Sequence, residues 1–222
     1  MVPPLSLVQA MAQAILPTGV AVAIRDAHGD VSQLFAEERA AVLRAVPSRQ
    51  AEFAAGRQAA RQALLHLGQG PIGLPVAESR GPGWPAGFTG SISHCRGAVI
   101  AIAARLTPER GPVGIDIEEA TALEVDLWGS ICTPSELAWL DDQPDAGRRV
   151  KVIFSIKEAV YKAQYPITQT MLDFHDVEVI ALEPSGSFEV AIATDALKKV
   201  TGRFRASDQF IVAFASAGNA AP

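Results

Sequence analysis

One pattern constrains this chain more than any other: a long helix signal followed by short strand signals occurs twice, on either side of Leu106–Pro112. The first helix carries Phe53, Ala60, Leu64 and Leu67 on one apolar stripe, takes Ser48 as its cap and stops at Gly68. The second runs from Lys151 to Tyr165 with Val152, Ile156, Ala159, Val160 and Ala163 at helical spacing, and Pro166 is expected to end it. Thr89–Cys95, Ala98–Ala104 and Val113–Glu118 read as strands, as do Phe174–Leu182, Ser187–Ala193, Gly202–Ala206 and Gln209–Ser216. Thr133-Pro134-Ser135-Glu136 opens a shorter helix with a capping box and Pro at the first helical position. The expected fold class is α+β, in two similar subdomains over residues 1–110 and 111–222.

Charge divides along the same line. The formal net charge is −5, but Met1–Arg110 holds ten Arg against seven acids, whereas Gly111–Pro222 holds nine Lys/Arg against seventeen. All ten basic residues of the first half are arginine, whose planar fork matches phosphate oxygens, although GC-rich coding gives the same bias. The net acidity argues against a general nucleic-acid binder. No apolar run approaches the ~18 residues that span a bilayer, and Met1–Leu16 lacks the basic start of a signal peptide, so a cytoplasmic location is expected. Cys95 and Cys132 show no metal-ligand spacing and read as two reduced thiols.

Within Val113–Glu118 a period of two places Gly114, Asp116 and Glu118 on one face and Val113, Ile115 and Ile117 on the other. Two carboxylates about 6.5 Å apart on a strand repel one another, and a hard divalent cation such as Mg²⁺ would offset that. A wet strand face tolerates the same pair, so both readings stand at this point. Gly114 leaves room on that face for the close approach of a ligand. Offsets of four, three and four put Lys151, Ser155, Glu158 and Lys162 in one stripe of the second long helix, with Lys157 and Tyr161 alongside. A solvated face with a helpful Glu158–Lys162 pair explains that stripe equally well. Arg57 and Arg61, at i and i+4, invite an anion between them, or else they are two exposed side chains. His94 at a strand end is a further donor to phosphate, or simply a structural histidine.

Four segments in order resemble the 4′-phosphopantetheinyl transferases of the surfactin and enterobactin synthase type. They are Glu52-Phe53-Ala54-Ala55-Gly56-Arg57-Gln58-Ala59-Ala60-Arg61, Trp84-Pro85-Ala86-Gly87-Phe88-Thr89-Gly90-Ser91-Ile92-Ser93-His94-Cys95, Val113–Glu118, and Phe154-Ser155-Ile156-Lys157-Glu158-Ala159-Val160-Tyr161-Lys162-Ala163. The similarity reaches from about Leu34 to Val179, and the first segment points to the enterobactin-type branch. The resemblance implies transfer of the phosphopantetheine arm of coenzyme A to a serine of an apo carrier protein, with release of 3′,5′-ADP. It implies a pseudo-two-fold pair of α/β subdomains, coenzyme A in the cleft between them, and a monomer. Asp116, Glu118 and Glu158 match the acids that hold Mg²⁺, which Mn²⁺ can replace, and Glu158 is also matched to deprotonation of the serine. Asp116, Glu158 and Lys162 are thus the expected catalytic residues. Ser93, His94, Lys157 and Lys162 match contacts to the coenzyme A phosphates, and Arg49, Arg57 and Arg80 match basic residues around the nucleotide.

Two other functions would use parts of the same set. A Mg²⁺-dependent hydrolase of the coenzyme A pyrophosphate would turn over without a carrier. A silent coenzyme A or carrier-binding module would have lost an acid, yet all three are present.

Overall fold

The computed structural model of the chain describes residues 5–77, 81–141, 143–194, 197 and 199–218; Arg80 lies outside the described residues. Helix α1 (Leu5–Ile15) leads into strand β1 (Val20–Arg25), the short helix α2 (Ala36–Val42) and the long helix α3 (Pro47–His66). A hairpin of β2 (Phe88–Cys95) and β3 (Ala98–Arg105) follows, and then β4 (Val113–Glu119). Two short helices, α4 (Val125–Ile131) and α5 (Pro134–Leu140), precede the long helix α6 (Ala146–Thr168). The chain finishes with β5 (Val177–Leu182), β6 (Ser187–Ile192), β7 (Lys199–Ala206) and β8 (Phe210–Ser216).

The strands form an antiparallel sheet of order β1-β3-β2 and another of order β4-β8-β7-β6-β5. The class is α+β, and the halves share a plan. In each, the first strand pairs with the last strand of its own half, and a long helix follows that first strand. Small side chains let both helices lie close to their sheets: Ala55, Ala59, Ala60 and Ala63 of α3 pack on Val99, Ala101 and Ala103. Similarly, Ile156, Ala159, Val160 and Ala163 of α6 pack on Val190, Ala213 and Ala215. The second half is larger by the β5–β6 hairpin.

The opposite faces are covered by α1, which the sequence reading did not find. Val8, Met11, Ala12 and Ile15 pack on Ile100 and Ile102 of one sheet and on Ile115, Ile117, Val212 and Phe214 of the other. Two further boundaries differ from expectation. Helix α3 begins at Pro47, after Val46 and not after Ser48, because Pro at the first helical position has its φ already set for the helix and lacks an N–H that would find no partner there. Pro166 lies inside α6 and does not end it. It sits in the last turn, where one missing hydrogen bond costs little, and left-handed Gln169 closes the helix by donating to the Tyr165 carbonyl.

The two sheets meet along β2 and β4 through side-chain hydroxyls. Val113 N–H donates to Thr89 Oγ1, Ser91 Oγ donates to the Ile115 carbonyl, and Ile117 N–H donates to Ser93 Oγ, each at 3.4 Å. The constant sequence offset makes β2 and β4 run side by side in the same direction. This seam sets the position of the acidic face of β4.

Candidate active site

A cleft of about 360 Å³ opens between α3, β2, the Gly81–Trp84 loop and the end of α6, and its wall includes Arg49, Arg57, His94 and Lys162. Phe53, Trp84, Tyr161 and Tyr165 give it apolar surface. The Arg57 guanidinium lies 4.3 Å over the Phe53 ring, and its Nε donates to the Leu74 carbonyl at 2.8 Å. That one bond leaves the rest of its donor fork for the cleft. Burial lowers Arg57 to about 10, and Arg61 and Arg49 add to the effect against the pull of Glu38, so it remains a cation at neutral pH. Arg49 donates to His94 Nε2 at 3.2 Å, which leaves the proton of the neutral ring on Nδ1. Burial pushes His94 below its ordinary value against the pull of Glu52, with Arg49 and Lys162 helping.

Arg61 does not share an anion with Arg57. Its guanidinium holds fully buried Glu38 at 2.6 and 2.7 Å, and Glu38 also accepts from the N–H groups of Leu74 and Phe35. The pair braces α2 and the segment after α3.

Beside the cleft, the Gly114–Asp116–Glu118 face of β4 lies against α6. Gly114 is required for the packing itself, since a Cβ there would overlap the Ala159 carbonyl of α6. The close approach it permits is that of a helix, not of a ligand. The polar stripe of α6 is consequently not a solvated face. Ser155 Oγ donates to Asp116 Oδ2 at 2.9 Å, Lys162 Nζ to Asp116 Oδ1 at 2.7 Å, and Lys151 Nζ pairs with Glu118 Oε2 at 2.6 Å. Lys162 stands 4.0 Å from Glu158 Oε2. Burial pushes Glu118 up from the usual carboxylate value; Lys151 pulls it back and Asp116 adds to the rise. Burial likewise raises Glu158, opposed by Lys162 and reinforced by Asp116 and Glu118. The three acids therefore feel one another's charge. Among the described residues no three His, Cys, Asp or Glu side chains are preassembled around one point; Asp116 and Glu118 each hold a lysine instead.

Two residues expected at the phosphates face elsewhere. Lys157 is only 1% exposed, and its ammonium donates to Glu136 Oε2 at 2.7 Å and to the carbonyls of Ile131 and Phe174. All three of its donors are spent on joining α6 to α4, α5 and the turn that leads into β5. Ser93 Oγ donates to Asp116 Oδ1 at 2.7 Å and accepts from Lys162 at 3.1 Å, so it orients an acid and does not line the cleft. Ser91 lines it instead. Phe53 and Tyr165 were not singled out from sequence; their signal was an aromatic four residues before Arg57 and four after Tyr161.

Burial pushes the Cys95 thiol up to about 12 and that of Cys132 up to about 11, which keeps both protonated at neutral pH. Among the described residues, a separate cavity of about 330 Å³ between α5 and β5, around Trp139 and Ile180, is lined by no cationic side chain.

The family model of the 4′-phosphopantetheinyl transferase N-terminal domain matches residues 37–104, and that of the 4′-phosphopantetheinyl transferase superfamily matches residues 112–215. The chain belongs to the 4′-phosphopantetheinyl transferases. It is 41% identical over 189 residues to the transferase Svp of Streptomyces mobaraensis, covering 80% of this chain and 74% of that one. It is 32% identical over 169 residues to Npt of Nocardia iowensis, covering 76% of each. Enterobactin synthase component D of Escherichia coli K12 is 37% identical over 136 residues, 60% of this chain and 62% of that one. This transferase moves the phosphopantetheine arm of coenzyme A to a carrier protein. Among its described residues, no helix is long and apolar enough to cross a membrane.

Proposed function

We propose that the cleft takes the phosphates of coenzyme A on Arg49, Arg57, His94 and Lys162, and that Asp116, Glu118 and Glu158 hold a Mg²⁺ ion, or Mn²⁺ in its place, beside them. The observation that supports this most strongly is Lys162, which lines the cleft while standing 2.7 Å from Asp116 and 4.0 Å from Glu158. One side chain thus borders both the anion site and the acid cluster. The acids fit a divalent cation: they are hard oxygen donors, and Asp116 raises both glutamates, a repulsion that such an ion relieves. When bound, the ion supplies charge stabilisation at the pyrophosphate oxygens.

The chain's own residues account for the remaining steps. Arg57 and Arg49 grip the nucleotide end, with Phe53 stacked beneath Arg57 to hold its fork in place. The carrier serine attacks the β-phosphorus, its oxygen forming the new P–O bond as the bond to the departing 3′,5′-ADP breaks. Glu158 accepts the serine proton. It is the acid available for that role, because Asp116 already accepts from Lys162, Ser93 and Ser155 and Glu118 is paired with Lys151 at 2.6 Å, whereas the Glu158 side chain is 32% exposed and has only a 4.0 Å ion pair. Lys162 exchanges one of its longer bonds, to Ser93 at 3.1 Å or to the Ile115 carbonyl at 3.2 Å, for one to the developing charge on the phosphoryl oxygens. Residues 1–110 thus bind the nucleotide and residues 111–222 bind the metal and carrier. The protein acts as a cytoplasmic monomer without nucleic acid, on carriers of siderophore or other secondary-metabolite synthesis, as its similarity to enterobactin synthase component D suggests.

Incubation with coenzyme A, Mg²⁺ and a panel of apo carriers, followed by intact mass, tests the reading. Transfer should stop in excess chelator and return with Mg²⁺ or Mn²⁺; persistence in chelator would remove the metal role, and coenzyme A turnover without a carrier would indicate hydrolysis. The nucleotide assignment has its own test. Arg57→Ala should mainly raise KM for coenzyme A, since its grip is common to ground and transition states. If the partner is the 3′-phosphate, the effect should shrink with dephospho-coenzyme A; an equal loss with both substrates would move Arg57 away from that phosphate.

A further inference from the structure

Lys151 has no part in the transfer steps above, yet it holds the shortest ion pair of the acid cluster. Its Nζ lies 2.6 Å from Glu118 Oε2, with the two side chains 13% and 22% exposed. Helix α6 thus delivers one ammonium to each of the two β4 acids of the cluster, Lys162 to Asp116 and Lys151 to Glu118. The two lysines differ in where else they can go. Lys162, which donates to Asp116, Ser93 and the Ile115 carbonyl, also lines the cleft, so bound phosphates offer it an alternative to its two longer bonds. Lys151 does not line the cleft; its other neighbour is the Phe154 ring, whose centroid is 5.3 Å from Nζ.

Three carboxylates and two ammoniums leave the cluster one negative charge. A divalent ion added with both lysines in place would make it net positive, and the ion and Lys151 would compete for the charge of the one Glu118 carboxylate. We propose that Lys151 is a tethered counter-cation for the metal site: it neutralises Glu118 in the metal-free chain and yields to the divalent ion by moving onto the Phe154 ring. The half-buried carboxylate is thereby never left unpaired, and metal affinity is lower than three free acids would give. A cation over an aromatic face keeps part of its stabilisation, which makes Phe154 a suitable resting place. This inference rests on the metal reading of Asp116, Glu118 and Glu158.

The experiment is a Mn²⁺ titration followed by loss of the free-ion paramagnetic resonance signal, with saturating coenzyme A and no carrier. Lys151→Met should bind Mn²⁺ about fivefold more tightly than the parent, the upper range for losing a partly exposed ion pair. It should also melt lower in chelator and gain more on Mn²⁺ addition. Lys151→Arg, whose fork can hold both Glu118 oxygens, should bind Mn²⁺ more weakly. A supporting role for Lys151 predicts the reverse: weaker binding in the Met variant and unchanged binding in the Arg variant. Either result would overturn the proposal, and if Lys151→Met does not fold, the Arg variant alone decides. Absence of Mn²⁺ binding by the parent would remove the metal reading as well, whereas parental binding with no tightening in Lys151→Met would remove only the counter-cation.

Discussion

Glu158→Gln should fold and bind coenzyme A as the parent does, while transfer falls by at least ~10², the lower end for loss of a general base. The substitution keeps the side chain's shape and removes its charge. Glu158 has no structural duty that would confuse the result: its ion pair with Lys162 is 4.0 Å long and partly exposed, the kind of i,i+4 contact worth about 0.3–0.5 kcal/mol. If it were only that partner, the same change would leave activity near parental. Single-turnover transfer to a saturating carrier, with coenzyme A affinity measured separately by calorimetry, distinguishes the outcomes. A near-parental rate would take Glu158 out of the chemistry.

The sequence exposed the acids and cations of this site more clearly than their neighbours. A period of two put Asp116 and Glu118 on one face of β4, and helical offsets aligned Lys151, Ser155, Glu158 and Lys162 on α6; the structure brings the two sets together. Periodicity did not reveal that α6 is buried on this side too, because that depends on Gly114 removing the barrier between helix and strand. The resemblance places Lys157 at the phosphates, but the structure turns it away. Lys157 precedes Glu158 by one residue, but successive helical residues point about 100° apart, so it is turned toward Glu136 and the ends of α4 and α5. Glu136 itself was legible only as half of a capping box, a role it fulfils by accepting from Thr133 N–H at 2.7 Å. Helix α1 was available in the sequence. Val8, Met11, Ala12 and Ile15 have i, i+3, i+4, i+7 spacing, the mark of a helix whose apolar stripe faces the core.

The largest structural effect is expected from Gly114→Ala, a single methyl far smaller than any active-site group. Its Cβ would stand within the envelope of the Ala159 carbonyl oxygen, 2.8 Å from the Ala163 nitrogen and 3.0 Å from the Ala159 carbonyl carbon. These are backbone atoms of α6 and cannot rotate away, so the helix has to move off β4. Gly114 also pairs with Ala215 on β8, which resists movement of the strand instead. Overpacking of this kind should destabilise the fold by about 2–4 kcal/mol. The same displacement would open the contacts of Ser155 with Asp116 and of Lys151 with Glu118, and a shift of about 1 Å at a reacting centre can cost ~10² in rate. Gly129→Ala is the control, because a Cβ in that position meets nothing within 4 Å and an alanine within helix α4 should be neutral or stabilising by up to about 1 kcal/mol. Urea unfolding of both variants, with transfer measured at a temperature where both remain folded, checks the expectation. If Gly114→Ala kept parental stability and rate, α6 would not need this approach to β4, and the assembly of the three acids would have to rest on something other than the helix–strand contact.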